Sequence, residues 1–220
     1  MTTALEQDLE RRFSTAYETV RVGESDITLF RPRNADDLIS EADYVKDERL
    51  PYWAEIWPSS RILAEWFAGE AGNGRTMLEL GCGLGLVTLA AMRAGFQVTA
   101  TDYYDDALEF TRVNAFRATG REPATRMVDW NDLPDDLGRF DVVVACDVLY
   151  SKPYADLIAN AMVKYLATGG TAIMADPGRI AIDEWLEACK AREFRRVETI
   201  ERKFPVNDKE QTIRIYRMAW

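Results

Sequence analysis

Glu79-Leu80-Gly81-Cys82-Gly83-Leu84-Gly85 stands between a β-like run, TMLEL (76–80), and a helix-like run, Leu84 to Arg93. Glycines at 81, 83 and 85 let the backbone turn sharply and approach a ligand closely. The helix that follows offers unpaired N–H donors at its start. A strand, a glycine loop and a helix in this order are consistent with a nucleotide-binding α/β unit, with NAD among the possible ligands, and also with a tight turn that holds no ligand.

The same rhythm continues outward from the loop. QVTATD (97–102), ATRMVD (124–129), FDVVVACD (140–147) and TAIMAD (171–176) read as strands. Ala107 to Ala118, closed by Gly120, Pro153 to Leu166, closed by Gly169-Gly170, and Ile180 to Ala191 read as helices. FDVVVACD is the most apolar run and is expected at the centre of the sheet. Phe194 to Arg202 and Gln211 to Met218 are β-like, with only KFPVNDKE (203–210) between them, so they are expected to pair antiparallel. The expected fold is α/β: a Rossmann-like, doubly wound, mostly parallel seven-stranded sheet with an antiparallel last strand.

Residues 1–74 are read as an N-terminal extension of a single domain whose core is 75–220. Within the extension, Ala16 to Val22 and Asp26 to Arg31 suit a hairpin around Gly23. Asn34 to Ala42 suits a short helical turn, and a helical pattern runs from Ser59 through Ile62, Leu63, Trp66 and Phe67.

Composition narrows the function. The 220 residues carry a net charge of -10, which argues against broad nucleic-acid binding. Arg192, Arg195, Arg196, Arg202 and Lys203 are interleaved with Glu193, Glu198 and Glu201 and read as a solvated face. There is no histidine, so His-based general-base, triad and metal-ligand chemistry is excluded, and no metal is expected. The three cysteines, Cys82, Cys146 and Cys189, form no CxxC pair, which suits a reducing compartment. The charged N-terminus does not read as a signal peptide and no run approaches a membrane span. A cytoplasmic protein with no membrane partner is expected; the oligomeric state stays open.

Two acidic positions follow the glycine loop in order. Asp102 ends the next strand, where a carboxylate accepts the hydroxyls of an adenosine ribose or simply caps the following helix. Asp129-Trp130 ends the third strand, where an acid and an indole flank an adenine ring or merely pack. Both strand ends lie with the loop on the carboxyl edge of the expected sheet, in one crevice.

ELGCGLG, followed by TD, DW and a strand ending CDVLY, resembles the class I, seven-β-strand methyltransferases. Trp57-Pro58 and Asp147-Val148-Leu149-Tyr150 more narrowly resemble the methyltransferase-like protein lysine methyltransferases of family 16. PYWAEIWP and DPGR (176–179) resemble the electron-transfer-flavoprotein lysine methyltransferase branch. The resemblance covers roughly residues 50 to 180 and implies S-adenosyl-L-methionine as cofactor. It implies that Glu79, Gly81, Cys82 and Gly83 belong to the loop beside the methionine and ribose, that Asp102 holds the ribose, and that Asp129 and Trp130 flank adenine. Trp57 and Cys146 would contact the cofactor, Cys146 through its backbone. Asp147 and Tyr150 are the catalytic candidates.

That chemistry suits the residues present. The cofactor carries its own leaving group, so alignment and exclusion of water are the main demands. A lysine ammonium, with a reference pKa of ~10.4, must lose a proton first. Asp147 is placed to orient the amine or relay its proton, and Tyr150 to wall the acceptor channel, with Tyr52, Trp53 and Tyr154 as further candidates for that wall. Both residues also have plainer roles, Asp147 as a cofactor ligand and Tyr150 in packing. The acceptor expected first is a protein lysine. A small amine, a non-catalytic cofactor-binding protein and an NAD-dependent dehydrogenase remain as alternatives.

Overall fold

The computed structural model describes residues 3–39 and 50–220. Labelled in chain order, α1 (Ala4–Arg12) leads into the hairpin β1 (Thr15–Val22) and β2 (Ser25–Pro32), then 3₁₀ turns at Ala35–Leu38 and Tyr52–Ala54 and helix α2 (Pro58–Ala68). The alternating part is β3 (Thr76–Leu80), α3 (Leu86–Arg93), β4 (Gln97–Asp102), α4 (Asp105–Thr119), β5 (Ala124–Met127), β6 (Phe140–Cys146), α5 (Pro153–Tyr165), β7 (Leu166–Asp176), α6 (Ile182–Ala191), β8 (Arg195–Val206) and β9 (Lys209–Ala219).

The seven strands run in the order β5-β4-β3-β6-β7-β9-β8. Neighbours from β5 to β7 are parallel, and β9 is antiparallel to both β7 and β8. This is the expected mostly parallel sheet with an antiparallel last strand, and the apolar β6 is the middle strand.

Alternation along the central strands divides the core into two layers. Leu78, Val143, Ala145, Ala172 and Met174 pack with Ile158, Met162 and Tyr165 of α5 and Trp185 of α6. Met77, Val142, Val144, Ile173 and Ala175 pack on the other face with Leu63 and Phe67 of α2 and Val87 and Ala91 of α3. Strands buried on both faces read as continuous apolar runs, which is why FDVVVAC stood out.

Several boundaries differ from the sequence reading. Gly169-Gly170 does not close α5. The helix ends at Tyr165, and both glycines lie inside β7, where the pairing with β6 skips from Phe140↔Leu166 to Val142↔Thr171. A Cβ at Gly170 would lie 2.8 Å from the Asp141 carbonyl oxygen, so the glycine permits a bulge that the composition disguised as a helix stop. KFPVNDKE is mostly strand, leaving Asn207-Asp208 as the turn. The turn at Ala35–Leu38, capped by Asn34, matches the first half of the expected Asn34–Ala42 segment; it ends at extended Ile39, and residues 40–42 lie outside the described residues. Helix α1 was not expected. Its signal was Thr3-x-x-Glu6: the Thr3 hydroxyl accepts from the Glu6 N–H at 3.1 Å.

A buried amide pins the hairpin to α4 and the glycine loop, beside its apolar packing and the ion pairs of Glu18 and Arg31. Asn114 of α4 accepts from the Phe30 N–H (2.7 Å) and donates to the Phe30 carbonyl (2.9 Å) and the Leu84 carbonyl (3.0 Å), fully buried. Helix α1 is tied nearby, where buried Glu6 accepts from Arg117 of α4 (2.7 Å) and Tyr17 (3.1 Å). Among the described residues no helix is long and apolar enough to cross a membrane. Asn114→Ala removes the partners of three buried backbone groups, each worth about 1–3 kcal/mol when orphaned. The expected result is a loss of roughly 2–4 kcal/mol in urea unfolding, given partial relaxation; a loss under ~1 kcal/mol would show that the clamp does not hold the hairpin.

Candidate functional site

The order of the sheet reverses at β3 and β6. The connection from β3 leads to β4 on one side, while β6 and β7 extend to the other. Crossover helices diverge at such a point and leave a crevice at the carboxyl ends of the strands. A cavity of about 510 Å³ lies there. It is lined by the ends of β3, β4 and β6, by the loop after β5, and by a strap of residues 50–57 from the extension. All eleven residues singled out from the sequence line it: Trp57, Glu79, Gly81, Cys82, Gly83, Asp102, Asp129, Trp130, Cys146, Asp147 and Tyr150. The further aromatics Tyr52, Trp53 and Tyr154 line it as well.

The glycine loop is built to be close to its neighbours. Gly81 and Gly83 have φ of +75° and +53°, in the left-handed region that favours glycine. A Cβ on Gly81 would come within 3.0 Å of Val148, and one on Gly83 within 3.0 Å of the Trp53 carbonyl oxygen, so the strap lies directly over the loop. Asp102 is not the helix cap, a place taken by Tyr104. Its carboxylate accepts from the Gly83 N–H (2.9 Å) and the Tyr104 N–H (3.2 Å), tying the ends of β3 and β4 together. Burial raises the Asp102 pKa, and those backbone donors oppose the rise.

Glu79 is the more costly acid. It is buried at the end of β3, hydrogen-bonded by the Thr88 hydroxyl of α3. Burial, with a further push from Asp102, raises its pKa to about 8 against Thr88's opposing hydrogen bond.

On the far side, Asp129 accepts from the Asn131 backbone (2.8 Å) and side-chain amide (2.9 Å), shaping the turn that presents Trp130. The Trp130 ring packs on Gly81, and its buried Nε1 has no hydrogen-bond partner. At the mouth, Tyr150 lies 4.7 Å from Tyr154 and 5.2 Å from Tyr52, ring centroid to centroid, and is 39% exposed. Burial and the neighbouring Tyr154 and Asp102 push the Tyr150 phenol well above its usual range, so it stays protonated. Burial likewise raises the Cys82 and Cys146 thiols well above theirs, which leaves neither as a thiolate nucleophile.

Asp147 follows β6 with φ of +61°, uncommon for a residue with a side chain. Its N–H donates to the Ala175 carbonyl (3.0 Å), holding the turn against β7. Its carboxylate accepts from Arg179, a residue not singled out as a site residue from the sequence, although DPGR had been noted. Arg179 comes from the loop after β7, and nothing in the spacing of residues 147 and 179 signals their contact. The strap depends on a second arginine that sequence reasoning missed: Arg31 of β2 donates to the Ala54 carbonyl (3.0 Å) and pairs with Glu55 (3.0 Å) and Glu18.

Among the described residues five acids line the cavity, Glu55, Glu79, Asp102, Asp129 and Asp147, and no lysine or arginine does. S-adenosylmethionine, the cofactor that the sequence resemblance implies, carries a sulfonium, an α-ammonium, a ribose diol and a flat purine. The cavity meets these with buried negative charge, an acceptor carboxylate beside the glycine loop, and an indole packed on Gly81. The residues present fit the group.

Comparisons agree with this architecture. Residues 44–187 match a family model described as lysine methyltransferase. The electron transfer flavoprotein beta subunit lysine methyltransferase of Mus musculus is 28% identical over 132 residues, covering 59% of this chain and 51% of that protein. The ribosomal protein L11 methyltransferase of Ectopseudomonas mendocina is 30% identical over 180 residues, covering 80% of this chain and 56% of that protein. The chain thus spans about half the length of the curated relatives it matches. A crystal structure of ribosomal protein L11 methylase from Lactobacillus delbrueckii subsp. bulgaricus superposes with a TM-score of 0.62 at 19% identity, over 91% of this chain and 98% of that one. It shows the shared fold.

The buried acid has a measurable consequence for stability. The Glu79 pKa rises from an ordinary 4.5 to about 8 on folding. The folded state therefore holds a proton that the unfolded state releases, and stability falls as pH rises through that window. Glu79→Gln removes the penalty. It should gain on the parent as pH rises from 5 to 8, by an amount on the order of a few kcal/mol by linkage. Urea unfolding across that range tests this; a difference that does not change with pH would remove the buried acid as its cause.

Proposed function

The chain belongs to the lysine methyltransferase family, and on that premise we propose that it is an S-adenosylmethionine-dependent N-methyltransferase acting on a lysine side chain of a protein. The observation that carries this reading is the acidic lining of the cavity: among the described residues five acids and no cation line it, beside a protonated aromatic mouth. A site of that kind favours a cationic cofactor and a cationic acceptor together.

When bound, S-adenosylmethionine supplies an electrophilic methyl group with its leaving group already attached. The protein's own residues bind, orient and keep water out. Asp102 accepts the ribose hydroxyls while its other contacts hold the glycine loop. Trp130 and Asp129 flank the adenine. Glu79, at the end of β3 beside the glycine loop, keeps its proton up to about pH 8 and would ionise most readily when the cationic cofactor is bound. Trp57 and the Cys146 backbone close the cavity from the strap and the middle strand.

An acceptor ammonium must shed a proton before its lone pair is available. Asp147 lies at the carboxyl end of the middle strand and engages the amine by hydrogen bond and charge, passing its proton outward. Tyr150, Tyr52 and Tyr154 give the lysine's methylenes an apolar channel and its ammonium a set of aromatic faces. The three cysteines are free thiols, which supports a reducing compartment such as the cytoplasm as the place of action. The relatives' names make the electron transfer flavoprotein beta subunit the first acceptor to try and ribosomal protein L11 the second.

Methyl-tritiated S-adenosylmethionine incubated with a lysate of cells lacking this protein should place base-stable label in a protein band. Label confined to small molecules would overturn the protein acceptor. Asp102→Ala should weaken S-adenosylmethionine binding, read by calorimetry, at least roughly tenfold, because a hydrogen bond to a charged group contributes about 1.5–3 kcal/mol. Unchanged affinity in a folded variant would remove Asp102 from the site. Asp147→Asn keeps the shape but loses the charge. Turnover should fall much more than cofactor affinity, as for an interaction used mainly in the transition state. Equal losses in both would make Asp147 a cofactor ligand instead.

A further inference from the structure

Arg179 joins three parts of the molecule that the chain keeps far apart. Its Nε–H donates to Asp147 Oδ1. Its guanidinium carbon sits 5.1 Å from the centroid of the Trp57 ring. Its own backbone is fixed by Asp176, whose carboxylate accepts from the Gly178 and Arg179 N–H groups at 2.7 Å each and is itself buried. The strap end of the contact is equally held, because Trp57 Nε1 donates to the Tyr52 carbonyl at 3.0 Å and Tyr52 in turn meets Tyr150. The Asp147 side chain is 3% exposed and that of Arg179 25%, so the guanidinium shields the carboxylate from solvent. Among the described residues Asp147 has one other bond, through its backbone N–H, which leaves Oδ2 without a partner on the residue that lines the cavity.

We propose that Arg179 is a positioning residue for methyl transfer: from behind the cavity wall it holds Asp147 Oδ1 so that Oδ2 meets the acceptor amine, and its contact with Trp57 ties that carboxylate to the strap. This rests on the methyltransferase reading above and deepens it. The physical reason is geometric. A carboxylate at a left-handed turn, free to rotate about its side-chain torsions, presents its oxygens in many directions; one anchored oxygen fixes where the other points. A guanidinium does this better than an ammonium, because it offers a directed N–H and a flat face for the indole at the same time. The anchored Arg179 also offsets part of the Asp147 charge, so Asp147 interacts with the amine without an uncompensated buried anion in the resting protein.

The test uses the full chain with methyl-tritiated S-adenosylmethionine and serial dilutions of the same acceptor-bearing lysate. These give an apparent maximal rate and a half-saturating lysate concentration, and calorimetry gives S-adenosylmethionine affinity. Arg179→Ala should lower the apparent maximal rate roughly tenfold to a hundredfold, the scale of a small misplacement of a reacting group. Cofactor affinity should stay within about threefold. Arg179→Lys should recover little of the rate, whereas methylguanidinium added to Arg179→Ala should recover a measurable part. In an Asp147→Asn background the Arg179→Ala change should cost little more, because the two act as one unit.

Undiminished rate in Arg179→Ala overturns the proposal. So does a lower half-saturating concentration with an equal or higher rate, which would make Arg179 a competitor of the acceptor. Full activity in Arg179→Lys overturns it in favour of bare charge, and a parallel fall in cofactor affinity in favour of a structural role. A parent enzyme that labels no protein overturns the methyltransferase reading itself, an outcome distinct from a labelled parent with an undiminished variant.

Discussion

Where β3 and β6 lie side by side, the crossovers leaving them go to opposite sides of the sheet, and no helix covers the strand ends between them. Everything else at the site follows from that gap. The strands deliver their last residues to it: Glu79 and the glycine loop from β3, Asp102 from β4, Cys146 and Asp147 from β6. Layers on both faces bury most of these strands while the edge stays open. Parallel strands need long crossovers over one face or the other; here they are helices except between β5 and β6, which a loop of residues 128–139 joins.

The gap holds buried acids that the fold compensates only in part, and Glu79 keeps its proton up to about pH 8 as a result. Glu79 is buried with a threonine hydroxyl as its side-chain partner, and Asp102 is balanced by backbone N–H groups alone. Burial of this kind works against folding, and a stability-optimised protein would replace these acids by amides or apolar groups. Their persistence is understandable if a cationic ligand completes the site. The same logic separates Asp147 from the other acids. It alone among the cavity's buried acids has an arginine partner, so its charge is shared before any ligand arrives.

The N-terminal elements act as a lid support. The strap of residues 50–57 crosses the glycine loop closely enough that Gly83 has no room for a side chain. It is held from below by Arg31, which reaches the Ala54 carbonyl and Glu55 from β2. The hairpin that carries Arg31 is in turn fixed by Asn114, which also bonds the Leu84 carbonyl of the loop. Hairpin, strap and loop are thereby one connected structure. The extension is part of the cavity's construction, supplying Tyr52, Trp53 and Trp57 to its wall.

Local pattern was enough for most of the fold. Apolar runs with turn residues between them gave TMLEL and QVTATD to the residue, because strands buried on both faces and bounded by Gly or Asp leave little ambiguity. The order of strand ends also sufficed to bring ten of the eleven lining residues to one edge of a parallel sheet; Trp57, in the extension, came from the family resemblance. Pattern failed where a residue's meaning depends on its neighbour across space. Gly169-Gly170 looks the same in sequence whether it stops a helix or makes a bulge; the Asp141 carbonyl decides. Helix α1 is short and mostly charged; its narrow stripe of Leu5 and Leu9, continued by Phe13, packs beside Phe30 and Phe110, and Glu6 adds contacts with Tyr17 and Arg117. Arg179, Arg31 and Asn114 were invisible for the same reason. Polar side chains carry no periodic signal, and their partners lie 32, 23 and 84 residues away, so only the packed chain brings them together. The sequence by itself determined which acids and glycines reach the sheet edge, through strand period and order. The tertiary structure alone decided which of those acids is already paired and what covers them, because pairing and cover depend on distance in space.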